Sequence, residues 1–188
     1  MATTYLRIAC FAATNCQYDN VLEAYGRIGD ELLKRHGMAL RDRYGPGPLA
    51  ADEIRWNDSV IFSEGGPGAL RQKCHERWPD GKGVPVIVCN LGMNAAYGYT
   101  IKPSMIEEND GVQWLPYVLI NAQLLNAAGS TLIHELIHTT GLTAADHDRD
   151  PSSVFYEAGS NKAGQSYRIL SDRHALRLRG MYYAEKSA

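Results

Sequence analysis

A single α/β domain, built on a twisted mixed sheet backed by two long helices, is the fold class this sequence predicts. Three observations point there. The segments run strand, helix, several strands, helix, long loop, helix, with no repeat, low-complexity tract or linker between them. The length of 188 residues suits one domain. Apolar residues make up 45% and charged residues 21%, enough to bury a core without staples.

The chain opens on a strand. Residues 5–13 alternate, placing Leu6, Ile8, Cys10 and Ala12 on one face. The stretch NVLEAYGRIGDELLKRHG then changes period: Val21, Tyr25, Ile28 and Leu32 recur at helical spacing. Asn20 stands at the cap position, Glu23 follows three residues later as in a capping box, and Gly37 supplies the stop. MALRDRY and DSVIF predict short strands around the loop GPGP. Residues 69–78 predict a short helix, preceded by Pro67-Gly68 and closed by Pro79. VPVIVCN is β-branched and apolar throughout, the pattern of a central strand. AYGYTI is a weaker strand, suited by its glycine to an edge, and YVLIN is a further strand. A helix starts between Ala122 and Ser130 and runs to Thr140, with Gly141 just past its end. Residues 141–169 show no period and read as ordered loop. SDRHALRLRGMYY predicts a last helix capped by Ser171, with Ala175, Leu178, Met181 and Tyr182 on one face.

The formal net charge of −2 gives no electrostatic case for nucleic acid as a partner. No run of 18 apolar residues exists, so membrane insertion is not expected. The first residues, MATTYLRIACFAATNC, make a poor signal peptide: they lack a basic start, and Arg7 interrupts the apolar stretch. The four cysteines form no C-x-x-C pair, which argues against a thiolate metal site. Cys10 and Cys89 fall in apolar strands and read as buried thiols, although an even count permits two disulfides.

Chemistry concentrates in HELIH, residues 134–138. Positions i and i+4 of a helix stand about 5–6 Å apart at Cβ, so His134 and His138 can aim at one ion. Glu135 sits one step round the helix, off the ligand line but at the same rim. Zinc suits two imidazoles, a third N or O ligand and an open fourth position. It lowers the pKa of water to about 7, and Glu135 is placed to take the proton. Gly141 permits a turn through positive φ that brings the following residues back towards the ion. Several residues there can ligate: Asp146, His147, Asp148 and Asp150. His36, His75 and His174 are isolated and read as exposed.

HELIHTTGL, followed by DPSSVFY and LSDRHALRLRGMYY, resembles the metzincin clan of zinc endopeptidases, and within it the matrixin-type pattern. That pattern is HExxHxxGxxH, a tight turn carrying a methionine beneath the metal, then a C-terminal helix. The resemblance is by motif over residues 117–183 and by element order over 1–116. It implies one metallopeptidase domain spanning 1–188, with an upper sheet-and-helix subdomain of about 1–141 and a smaller lower one of about 142–188. It implies zinc as cofactor, Glu135 as general base, and a protein or peptide substrate extended along the edge strand at 96–101. By resemblance a secreted or exported protein is expected.

This sequence departs from the pattern twice. The third histidine would fall at Ala144, which cannot ligate. Measured back from the turn SVFY, His147 stands where the third histidine should, as if three residues were inserted after Gly141. Asp146 is its close rival; Asp148 and Asp150 are weaker ones. Phe155 occupies the place of the turn methionine, where it would make a bulkier and stiffer floor. Tyr156 reads as a packed tyrosine rather than an oxyanion ligand. In another zinc class a distant glutamate is the third ligand, but it lies on a helix, and FYEAGSN around Glu157 does not predict one.

Three functions compete. The first is a zinc endopeptidase using metal-activated water. The second is a specialised zinc hydrolase, an effector or toxin with one narrow target such as a cell-wall peptide. The third is a catalytically silent relative that keeps the metal. The intact Glu135 speaks against the third, since a purely structural site closes its fourth position with another ligand.

Overall fold

The computed structural model describes residues 2–13, 16, 19–42, 47–49, 55–57, 60–62, 66–77, 83–92, 96–101, 116–123, 128–156 and 169–187. Its elements, in chain order, are β1 (Thr4–Ala13), α1 (Asp19–Lys34), β2 (Met38–Asp42), β3 (Gly47–Leu49), β4 (Arg55–Asn57), β5 (Val60–Phe62), α2 (Gly66–Arg77), β6 (Val84–Cys89), β7 (Gly98–Ile101), β8 (Tyr117–Asn121), α3 (Ala128–His138), α4 (Asp172–Arg179) and β9 (Ala184–Lys186). The mixed α/β class expected from the segment order is the one observed.

The main sheet runs β2-β1-β6-β8-β7. β1 lies parallel to β2 and β6, β6 lies parallel to β8, and β7 is antiparallel to β8 at the end of the order. At ten residues β1 is long enough to take two more partners. Its end, Phe11 to Ala13, pairs with β3, and its start, Thr4 to Leu6, pairs antiparallel with β9. β4 and β5 form a separate two-stranded ribbon.

The alternation of β1 shows one buried face, but both are covered. Leu6, Ile8, Cys10 and Ala12 join Val86, Val88, Val118 and Ile120 beneath Leu33 of α1 and Leu132, Ile133, Leu136 and Ile137 of α3. Ala9, Phe11 and Ala13 turn the other way, to Ile87, Leu119, Tyr117 and, on α2, Leu70 and Cys74. Parallel strands buried on both faces are apolar almost throughout, as β6 and β8 are.

α1 starts at Asp19, so Asn20 lies inside its first turn; the side chains of Val21, Glu23 and Tyr25 lie outside the described residues. Gly29 and Leu33 are its buried positions, with Ile28 and Leu32 half-buried, and Gly37 at φ 61° ends the turn that follows. α4 is shorter than the sequence predicts. It stops at Arg179, and the chain turns at Gly180 and Met181 into β9. Tyr183, not Tyr182, therefore reaches the core. Cys10, Cys74 and Cys89 are buried, as apolar strands and helix would have them, and burial pushes the Cys74 thiol up to about 12. No helix among the described residues is long and apolar enough to cross a membrane.

Candidate metal centre

α3 lies across the sheet with its polar side facing β7 and the loop after the helix. His134 and His138 stand one turn apart, and each is anchored through Nδ1 to a main-chain oxygen: His134 to Val154 O at 2.9 Å, His138 to Leu142 O at 3.0 Å. A carbonyl only accepts, so both rings carry hydrogen on Nδ1 and, when neutral, a lone pair on Nε2.

The chain leaves α3 at Gly141, which adopts φ 95°. It then makes one 3-10 turn, Ala144–Asp146, and returns at His147. That turn takes up the three residues separating position 144 from His147. Its closure explains the rival carboxylate. Asp146 Oδ2 accepts from Thr143 N at 2.7 Å and from Thr143 Oγ1 at 2.8 Å, capping the turn from an exposed position. Asp148 is engaged by Ser153, Arg173 and His174, and Asp150 caps the turn at Ser152. Burial raises the Asp148 carboxyl, but the Ser153 and His174 hydrogen bonds and the Arg173 charge together hold it below its ordinary value.

Three Nε2 atoms therefore converge. Those of His134 and His138 are 3.2 Å apart, His147 is 3.2 Å from His134, and His147 is 3.1 Å from His138. Two lone pairs cannot bond each other at that distance, so the triangle calls for a cation. Three nitrogens each about 2.0–2.1 Å from a tetrahedral zinc would stand roughly 3.3 Å apart, close to what is seen. The donor set thus fits zinc, with two of its three nitrogen ligands oriented on their far sides by the main chain. Among the described residues this is the group of histidine, cysteine and acidic side chains assembled tightly enough to hold an ion.

Beneath the triangle lies Phe155, fully buried. Its ring centroid is 5.1 Å from that of His134, 4.8 Å from His138 and 4.9 Å from His147. On its other side, 4.8 Å away, is His174. The sequence suggests that His174 is exposed; it is wholly buried, because α4 turns it inward onto Phe155 and Asp148. Burial lowers the His174 pKa, against the pull of Asp148. His36 is likewise not free in solvent, since Nε2 meets Leu170 O at 2.8 Å. Tyr156 is half-buried beside Asp148 in an isolated bridge. The side chain of His75, and Glu157, lie outside the described residues.

Glu135 faces β7 rather than open solvent. Thr100 Oγ1 is 2.6 Å from Glu135 Oε2 and 2.9 Å from the Glu135 main-chain oxygen. A Cβ at Gly98 would come within 2.8 Å of Glu135 Cγ and 2.7 Å of Thr131 Cγ2, so only glycine admits α3 this close. Burial raises the pKa of Tyr99, and the Glu135 charge raises it further. No motif in the sequence singles out Thr100. The usable signal is its two-residue spacing from Gly98, which puts both on the strand face that meets α3.

No family model matches the sequence, and no curated protein matches it. Solved structures do. An archaemetzincin from Methanopyrus kandleri is 17% identical, with 93% of this chain and 94% of that one covered and a TM-score of 0.51. A zinc-dependent peptidase from Methanocorpusculum labreanum is 13% identical, with 91% and 99% covered and a TM-score of 0.50. At such identities the likeness shows the fold alone: this chain is built as those peptidases are.

Proposed function

We propose that this protein is a zinc-dependent peptidase of metzincin type that cuts within extended protein or peptide chains. The observation that carries the reading is the triangle of three Nε2 atoms 3.1–3.2 Å apart, two of them fixed as lone-pair donors by main-chain carbonyls. The two structural neighbours, an archaemetzincin and a zinc-dependent peptidase, support it.

His134, His138 and His147 would hold the ion, which when bound supplies Lewis acidity towards the scissile carbonyl and acidifies water. Glu135 takes a proton from the attacking water and passes it to the departing amine nitrogen, so that it ends the cycle as it began. β7 closes the strand order, and its outer edge would align the substrate main chain by adding it as a further strand. Phe155 keeps water from beneath the imidazoles.

The test is elemental analysis beside hydrolysis of a panel of unstructured proteins. Wild type should carry one zinc per chain, and so should Asp146→Ala; His147→Ala should lose it. Glu135→Gln should retain zinc while hydrolysis drops by about 10^2–10^4-fold. A protein that takes up no zinc, or a Glu135→Gln variant at full rate, sinks the reading. Zinc uptake with silence on the whole panel would instead favour a narrow, dedicated target.

A further inference from the structure

We propose that Thr100 is a positioning residue for Glu135: its hydroxyl, carried on β7, fixes the direction in which the Glu135 carboxylate faces the reaction. This rests on the peptidase reading and deepens it.

A threonine hydroxyl has one hydrogen to give, and both acceptors it meets belong to the same residue, Oε2 at 2.6 Å and the main-chain oxygen at 2.9 Å. The shorter distance is that of a hydroxyl bonded to a charged carboxylate. Thr100 and Glu135 are both buried, so the bond is little weakened by water. The main chain that carries the hydroxyl is held by the sheet, because Thr100 pairs with Val118 in the β7–β8 register, and its β-branched side chain has few rotamers. Glu135 has three rotatable bonds and would otherwise sweep its carboxylate over several ångströms. The second constraint is Gly98, whose missing Cβ makes room for Glu135: a Cβ there would stand 2.8 Å from Glu135 Cγ and 3.1 Å from Oε1. The carboxylate is thus hydrogen-bonded at Oε2, and its stem passes close to Gly98. A base displaced by about 1 Å can lose up to 10^2-fold in rate.

Two measurements test this. The first needs neither metal nor activity: a double-mutant cycle on the unfolding of the metal-free protein, with Thr100→Val, Glu135→Gln and both together. A coupling clearly different from zero is expected; additivity overturns the proposal. The second uses the zinc-loaded protein and a quenched peptide. Thr100→Val should lower kcat by about 10–100-fold with KM nearly unchanged, and Thr100→Ser should recover most of it. Thr100→Val should add nothing to the loss already caused by Glu135→Gln. A bond that merely ties strand to helix would lower the melting temperature of Thr100→Val and leave kcat alone, which also overturns the proposal. If coupling is found but the zinc-loaded wild type cleaves neither the quenched peptide nor the protein panel, it is the broad endopeptidase reading that gives way, to a narrow target, and the positioning role proposed for that reaction falls with it.

Discussion

At Phe155 one phenyl ring lies about equally far from three imidazoles, with a fourth, His174, beneath it. His138 and His147 meet the phenyl ring edge to face, His134 and His174 meet it tilted, and rings at such spacing hold one another's orientation. Phe155→Ala should therefore do two things: lower stability by about 3–5 kcal/mol, as large core truncations do, and weaken zinc binding by loosening all three ligands. Urea unfolding and competition with a chromophoric chelator measure the two separately. Gly98→Ala acts from above. Its Cβ would displace Glu135, so hydrolysis should fall while zinc content stays at one per chain. At this scale the sequence is legible where chemistry repeats at helical spacing, as in His134 and His138. His147 is legible only by counting back from the turn. His174 is not legible, because its partner Asp148 lies 26 residues away and nothing in DRHALRLR signals burial.

Among the elements, the end of α3 decides whether a third ligand arrives. Gly141 at φ 95° reverses the chain, and the Thr143–Asp146 box then closes the 3-10 turn. A side chain at that φ costs about 1–2 kcal/mol. Gly141→Ala should lower the melting temperature and slow zinc uptake, read by calorimetry and by stopped-flow with a zinc indicator. Asp146→Ala should remove a cap worth roughly 0.5–2 kcal/mol and leave zinc stoichiometry intact. β1 and β9 mark the limits of reading elements from sequence. The alternation of β1 marks its α1–α3 face, while the opposite face is buried by α2, which no local period reports. β9 is three residues that show no pattern, and its partner Thr4 to Leu6 lies at the far end of the chain. Pairings set by such long closures leave no local trace.

Over the whole molecule, the loop carrying His147 is tied both to the helix before it and to the segment after it. Asp148 reaches Arg173 and His174 on α4, Val154 N donates to Ile169 O while Ile169 N donates to Ser152 O, and Tyr183 meets Thr139 just past the end of α3. An ion gripped by His134, His138 and His147 would clamp this loop to α3. Zinc at a hundred times its dissociation constant should then stabilise the fold by about 2.7 kcal/mol. Chelation should lower the melting temperature, and amide exchange should quicken in residues 142–156 while β1 and β6 stay protected. Uniform quickening across the sheet would show that the clamp is not local.

The floor under the histidines carries one more consequence. A thioether at that place takes up oxygen from peroxide and becomes a polar sulfoxide, which disrupts apolar packing. A phenyl ring offers no sulfur. The wild type should keep its zinc through a peroxide challenge that strips it from Phe155→Met, and mass spectrometry should find the added oxygen at residue 155 of that variant. By this account the aromatic floor makes the centre tolerant of oxidants.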